Sequence, residues 1–315
     1  MRIAILDDYC DVSRHLADWS LLKGRGEIQV FTEHLGSEEN AAKRLADFEI
    51  IVGMRERTPF PATLIRRLPK LKLLITTGMR NLSFDLEAAH SQGVTVCGTG
   101  GVGNPTSELA VGLMIALMRD IPGQFNSMRQ GGWQTRPGCS LAGKTLGLLG
   151  LGRVGGAVAV VGHALNMKVI AWSQNLTGQR AAECHARRVE KDELFRQSDV
   201  LSVHLILSGR TRGIVGAQEL SLMKPTAYLI NTSRGEIVDE AALLKILTEK
   251  KIAGAAIDVY GVEPLPAEHP IRHLDNVLLT PHLGYVSLEN LTKMYQDAIE
   301  DIFAFLDGKP VRILK

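Results

Sequence analysis

The chain has 315 residues, 45% of them apolar and 22% charged, with a formal net charge of +2. That length exceeds what one core ordinarily fills and suits two domains, and the composition excludes disordered and fibrous classes. A near-neutral balance also lacks the strongly basic footprint of a nucleic-acid binder.

Cys10, Cys97, Cys139 and Cys184 are scattered and form no C-x-x-C pair. No metal site is therefore expected, and reduced thiols in a cytoplasmic protein are the simplest reading. The N-terminus MRIAILDDYC carries four apolar residues before two aspartates, which suits a buried strand rather than a signal peptide. The longest strongly apolar stretch, Leu109 to Met118, is about half of what a bilayer crossing needs, so a soluble protein without a membrane partner is expected.

In chain order, Ile3–Leu6, Ile28–Phe31, Ile50–Val52, Leu73–Thr76 and Val94–Val96 read as buried strands, with Glu38–Ala46 and Pro61–Leu68 as helices between them. Such alternation predicts a parallel sheet covered on both faces. Asn104-Pro105 then reads as an N-cap followed by proline at the first helical position. The body of that helix, ELAVGLMIALM, is apolar on nearly every face, which predicts burial all round between domains or against another subunit.

A second series follows, with strands at Lys144–Leu149, Val169–Trp172, Val200–Val203, Ala227–Ile230, Gly254–Ile257 and Val277–Leu279. The last segment, from about Ser287 to Leu306, has apolar residues at 288, 291, 295, 298, 302 and 305 and stops at Asp307-Gly308. It is expected to return the chain to the first domain. The expected division is residues 1–97 with 286–315, and residues 98–285.

GLGRVG, from Gly150 to Gly155, sits between the strand KTLGLL and the helical VGGAVAVVGHAL. That context separates a dinucleotide site from a chance glycine-rich turn. Gly150 permits the tight turn, Gly152 lets the backbone approach a pyrophosphate, and Gly155 permits close helix–strand packing. The carboxylate expected at the end of the next strand is missing, because Ser173 stands there in Trp172-Ser173-Gln174-Asn175. Its loss removes an acceptor for the ribose of NAD and the charge that would repel the 2′-phosphate of NADP. The cofactor expected is NAD or NADP, leaning to NADP. Arg180 is read either as a phosphate contact or as a solvated helix residue.

Three polar residues at later strand ends propose the chemistry. His282 follows Pro281 after NVLLT, and a histidine there can serve as a proton donor near neutrality. Glu263, just past AAIDVY, can poise the imidazole. Arg234, after NTS, offers a planar fork for a carboxylate.

The chain resembles the D-isomer-specific 2-hydroxyacid dehydrogenases over essentially its whole length. The motifs that carry the resemblance are LAGKTLGLLGLGRVG, VLSVHLILSGRTRGIVG, LMKPTAYLINTSRGEIVDEAAL, GAAIDVYGVEP and NVLLTPHLGY. It implies an α/β fold of two doubly wound parallel-sheet domains, a Rossmann cofactor domain and a flavodoxin-like substrate domain, with the active site in the cleft between them. It places the catalytic arginine, glutamate and histidine on Arg234, Glu263 and His282. Cofactor contacts carry over to Arg153, Val154, Thr77, Thr106, Thr232, Asp258, His282 and Gly284, beside Gly150, Gly152, Gly155 and Ser173. A homodimer is also implied.

The expected function is hydride transfer between a nicotinamide cofactor and a small D-2-hydroxy or 2-oxo acid of the glyoxylate or hydroxypyruvate kind. Glutamine replaces Glu263 in the related formate dehydrogenases, so formate is disfavoured; phosphite oxidation stays open. The loop MRERTPF adds Arg55 and Arg57, which could meet a second acidic group on the substrate, with Gly78 and Tyr285 also expected to contact it. Trp133 is a further candidate, lining the pocket from a partner domain or subunit. The rival reading is a dinucleotide-sensing, corepressor-like binding protein without turnover.

Overall fold

All twelve strands run parallel to their neighbours, in two separate sheets. The computed structural model describes residues 1–315 and divides into two units, Met1–Gly103 with Val286–Lys315, and Asn104–Tyr285. Residues 98–103 thus stay with the first unit, six residues past the expected boundary. The reason is local hydrogen bonding: the Gly98 amide donates to Arg312 O, Gly100 to Asp297 Oδ2 and Val102 to Asn290 Oδ1.

The first unit holds β1 (Arg2–Ile5), β2 (Glu27–Val30), β3 (Ile50–Gly53), β4 (Leu73–Thr76) and β5 (Thr95–Gly98), in the order β2-β1-β3-β4-β5. One face packs an apolar cluster that includes Leu6, Phe48, Ile51, Phe60, Leu74 and Val96. The helix Leu288–Leu306 contributes Leu291, Met294, Tyr295, Ala298 and Ile302 to the interior, whereas Leu288, expected on the apolar stripe, is 65% exposed. Pro61–Leu68 yields only one helical turn, Ala62–Ile65.

The second unit holds β6 (Thr145–Leu149), β7 (Lys168–Trp172), β8 (Arg187–Arg188), β9 (Val200–Val203), β10 (Tyr228–Asn231), β11 (Gly254–Ile257) and β12 (Val277–Leu279), in the order β12-β11-β10-β9-β6-β7-β8. Consecutive residues feed opposite clusters: Leu149, Ile170 and Leu201 one, Leu148, Val169 and Val200 the other. The strands read as unbroken apolar runs because both faces are covered. The strand missed in the sequence, β8, is two exposed arginines at the sheet edge and has no apolar signature.

Strand order reverses at β6 in this unit and at β1 in the first. In open parallel sheets, ligand sites form beyond the carboxyl ends of strands at such reversals. The loops after β6 and β9, and those after β1 and β3, therefore mark the places to look.

The helix Pro105–Met118 begins where expected, but Asn104 makes no side-chain cap; its Oδ1 accepts from Arg153 Nη1 instead. Nor is the helix buried all round. Ser107, Ala110, Leu113, Met114 and Met118 are buried, while Leu109, Val111, Ile115 and Leu117 are only half-covered. The following helix, Ile121–Arg129, buries nothing and exposes Ile121, Phe125 and Met128.

Candidate active site

GLGRVG forms the turn from β6 into the helix Arg153–Ala164. Each glycine answers a different demand. Gly150 has φ +104°, and a Cβ there would lie 2.6 Å from His204 O. A Cβ on Gly155 would strike Gly150 O. Around Gly152 nothing stands within 4 Å of where a Cβ would be, and that side of the loop is open.

Gly152 caps the helix without a side-chain hydrogen bond, so the first-turn amides face the opening with the positive end of the helix dipole. Thr232 Oγ1 is buried without a partner, an orphaned hydroxyl at the end of β10. Open space at Gly152, a helix N-terminus turned to it and an orphaned hydroxyl fit a dinucleotide. Ser173 follows β7, and the Gly150 amide donates to Trp172 O, which seats Ser173 beside the glycine loop.

The loop after β12 carries His282 at φ +54°, a left-handed conformation uncommon outside glycine. Asp258, at the end of β11, imposes it. Its Oδ1 accepts from the Leu283 amide at 2.7 Å and from Thr280 Oγ1 at 2.6 Å, and its Oδ2 from the Gly284 amide at 2.9 Å. Burial pushes this carboxyl above its ordinary range, opposed by those donors and by the His282 charge. Thr106 Oγ1 donates to Gly284 O from the other side. Asp258 and Thr106, expected as cofactor contacts, thus hold the histidine loop.

Glu263 reaches the imidazole from its own loop: Oε2 lies 2.6 Å from His282 Nδ1, and Oε1 accepts from the Tyr260 amide at 2.9 Å. Both side chains are mostly covered, 16% and 24% exposed. Tyr285, 8% exposed, sets its ring edge-on to the imidazole at 5.5 Å.

Arg234 stands on the turn after β10. The turn is templated by Asn231, whose Nδ2 donates to Arg234 O and whose Oδ1 accepts from the Ser233 amide. A Cβ on Gly235 would strike Tyr260 C, so this glycine lets the arginine loop lie against the loop that leads to Glu263. Arg234 Nη1 donates to Ser233 O at 2.7 Å.

Sequence reasoning did not find Tyr260, whose hydroxyl lies 2.9 Å from both Ile257 O and Thr280 O and pins β11 to β12 at the site. It also missed His204, which follows β9 directly under the glycine turn. Neither carries a spacing signal; both matter only once β6, β9, β11 and β12 are neighbours.

In the first unit, Arg55 lies in the loop after β3 at φ +53°. Its amide donates to Thr77 Oγ1 and its Nη1 to Thr77 O. A Cβ on Gly78 would strike Arg55 Nη1, so Gly78 makes room for the guanidinium. The Gly78 amide donates to Thr99 Oγ1, so it is not open to a substrate carboxylate, and Thr77 uses its hydroxyl to hold the Arg55 loop. Arg57 stacks on Tyr9 at 4.5 Å. Trp133 is 72% exposed.

Comparison with known proteins agrees with this fold. Residues 111–284, more than half of the chain, match the model of the D-isomer specific 2-hydroxyacid dehydrogenase, NAD binding domain. The chain is 38% identical to a glyoxylate reductase of Aeropyrum pernix over 78% of its own length and 76% of the relative's. It is 36% identical to a D-3-phosphoglycerate dehydrogenase of Archaeoglobus fulgidus over 88% of its length, and there it spans about half of the relative, 53%. The crystal structure of a phosphoglycerate oxidoreductase from Vibrio cholerae superposes with a TM-score of 0.93 at 38% identity, covering 98% of this chain and 99% of the other. On the matched domain, the similarity to whole relatives and the shared fold, the chain belongs to the family of D-isomer-specific 2-hydroxyacid dehydrogenases.

Proposed function

We propose that this chain interconverts a small D-2-hydroxy acid and its 2-oxo acid with a nicotinamide dinucleotide held at GLGRVG. The observation that carries the proposal is the 2.6 Å contact between His282 Nδ1 and Glu263 Oε2 at the strand ends of a dinucleotide-type sheet. Gly150, Gly152, Gly155 and the first-turn amides of Arg153 and Val154 would receive the pyrophosphate. Thr232, Ser173, Asp258, Gly284, Thr106 and Thr77 are the further candidate cofactor residues.

When bound, the dinucleotide supplies or accepts the hydride at the carbon that bears the oxygen. Arg234 grips the substrate carboxylate and draws electron density from the carbonyl. With Nδ1 engaged by Glu263, His282 presents Nε2 to the carbonyl oxygen, protonating it in reduction and taking the proton back in oxidation. Glu263 fixes ring orientation and tautomer, and Tyr285 packs the ring's edge. Arg55 and Arg57 are proposed to add cationic contacts to a substrate with a second acidic group.

Relatives are named for glyoxylate, hydroxypyruvate and glycerate, and acids of this size are the proposed substrate class. Those names are of reductases and dehydrogenases and do not favour the corepressor-like rival. Ser173 in place of an acid supports NADP over NAD. The exposed Ile121, Phe125, Met128 and Trp133, with the half-covered Leu109 and Val111, support a homodimer through this face. Cytoplasmic residence accords with four free thiols; no helix is long and apolar enough to cross a membrane.

The test is absorbance at 340 nm with NADH and NADPH against glyoxylate, hydroxypyruvate, pyruvate, phenylpyruvate, 2-oxoglutarate and, for oxidation, phosphite. Turnover of one 2-oxo acid is the expected result. Silence on every 2-oxo acid while a dinucleotide still binds would overturn the catalytic reading.

A further inference from the structure

Arg180 is partly exposed, at 42% of its side chain, yet engaged with the glycine loop. From the short helix Gly178–Glu183 its Nε donates to Leu151 O at 3.1 Å and its Nη2 to Gly152 O at 3.4 Å, both within GLGRVG. The guanidinium occupies a notch cut for it: a Cβ on Gly156 would lie 2.8 Å from Nη2. Gly156 is the residue after the six-residue fingerprint, and nothing in dinucleotide binding by itself asks for glycine there. The chain spends an extra glycine to seat a cation against the phosphate loop.

The seat is directed. Leu151 O and Gly152 O turn toward the guanidinium, which leaves the amides at the start of the helix Arg153–Ala164 to the ligand side. The Gly150 amide donates to Trp172 O, so the strand end that carries Ser173 borders the same loop. In dinucleotide folds that strand end is where the adenosine ribose is read, ordinarily by a carboxylate. Here the carboxylate is absent, and a fixed guanidinium stands by the neighbouring loop instead. Its outer edge pairs with Glu183 Oε2 at 3.2 Å, but that pair is open to solvent, with side chains 42% and 50% exposed, so the charge is screened rather than cancelled. Nη1 and Nη2 each carry two N–H groups, and one of each is used by these contacts, which leaves two donors for a ligand.

We propose that Arg180, seated in the notch of Gly156, is the residue that selects the 2′-phosphate of NADP. The proposal rests on the reading that a nicotinamide dinucleotide binds at GLGRVG, and it deepens that reading from a missing acid to a specific cation. The side chain has two tasks: it shapes the loop for either dinucleotide, and its charge favours only the one with the extra phosphate.

The experiment is equilibrium binding by isothermal titration calorimetry, with NADPH, NADH, 2′,5′-ADP and AMP as probes, on the full chain and its variants. Arg180→Gln is expected to weaken NADPH and 2′,5′-ADP by about tenfold or more, the loss of a charge-assisted hydrogen bond, and NADH and AMP by less than about threefold. Arg180→Lys, which keeps the charge, is expected to fall between wild type and Arg180→Gln for NADPH. Gly156→Ala, which displaces the guanidinium without removing it, is expected to reproduce the selective loss and guards against a poorly folded Arg180→Gln. Equal losses for all four probes, or no loss for any, would overturn the proposal and leave dinucleotide binding standing. A wild-type chain that binds none of the four would overturn the cofactor reading itself.

Discussion

Oε2 of Glu263 lies 2.6 Å from Nδ1 of His282, while the other carboxylate oxygen accepts the Tyr260 amide at 2.9 Å. The imidazole is therefore held by a group that is itself held, and Nε2 is the nitrogen the proposed chemistry would use. His282→Ala should lower turnover by about three orders of magnitude, within the range for removal of a general acid. Glu263→Gln keeps the shape but supplies a neutral partner, and a loss of about a hundredfold is expected. Dinucleotide affinity should change by less than about threefold in both, since neither side chain forms the glycine loop. Steady-state rates combined with fluorescence titration of the cofactor check this; near-native turnover in His282→Ala would remove the histidine from the mechanism.

Arg234 shows why a charge-conserving change need not be conservative. Its backbone is fixed by Asn231 and its loop is pressed against Tyr260 at Gly235. The guanidinium is thus delivered from a rigid turn, and its planar fork is what a carboxylate requires. Arg234→Lys should raise KM for the oxo acid and lower kcat, with kcat/KM down by about a hundredfold, because an ammonium cannot make the paired hydrogen bonds. An unchanged kcat/KM in Arg234→Lys would mean that the site reads charge alone.

Much of this was legible in the sequence, and the exceptions have a common cause. Buried strands of a doubly covered sheet announce themselves as apolar runs, and all six expected strands in the second unit lie within one residue of those observed at each end. His282, Glu263 and Arg234 stood out because each polar residue follows such a run. Periodicity does not show where a polar group's hydrogen bonds go. Asp258, Thr106 and Thr77 could be named as cofactor residues, but that their hydrogen bonds hold loops depends on which strands become neighbours. Arg180 is the sharpest case. The sequence offered a solvated arginine or a phosphate contact, and the structure shows it bound to loop carbonyls through a glycine twenty-four positions earlier.

Gly152 and Gly155, three positions apart in GLGRVG, separate binding from folding. A methyl group on Gly155 has no room, since its Cβ would strike Gly150 O, which is backbone and cannot swing away. Gly155→Ala should destabilise the chain by about 1–3 kcal/mol, as overpacking does, and lose the cofactor as a consequence. A methyl on Gly152 meets nothing in the protein but projects into the open space proposed for the pyrophosphate. Gly152→Ala should unfold within a degree or two of wild type in the absence of cofactor, yet bind the dinucleotide at least about tenfold more weakly, because the backbone can no longer be approached closely. Thermal denaturation with and without cofactor distinguishes the two; equal destabilisation would contradict the open space at Gly152.

His204 gives the fold a dependence on acid. Its Nδ1 is sealed from solvent without a partner, its Nε2 stands 2.8 Å from the buried Ser202 Oγ, and burial lowers its pKa from 6.5 to about 4. Above about pH 6.5 the imidazole is neutral in both folded and unfolded chains and makes no pH-dependent contribution. Between 6.5 and 4 the unfolded chain takes up a proton that the folded one refuses, so stability falls as pH falls, by about 3 kcal/mol across the window. His204→Gln should remove that part of the slope, which urea midpoints at pH 4.5, 5.5 and 7 would show as a difference between wild type and variant that changes steadily with pH. The effect should reach the cofactor as well. His204 O faces Gly150, and the His204 Cβ lies 3.5 Å from where a Cβ on Gly155 would be, so a proton forced onto this ring loosens the floor of the glycine turn. Dinucleotide affinity in the wild type should therefore weaken in acid ahead of global unfolding, and less so in His204→Gln. Identical acid responses in the two proteins would place the acid sensitivity elsewhere.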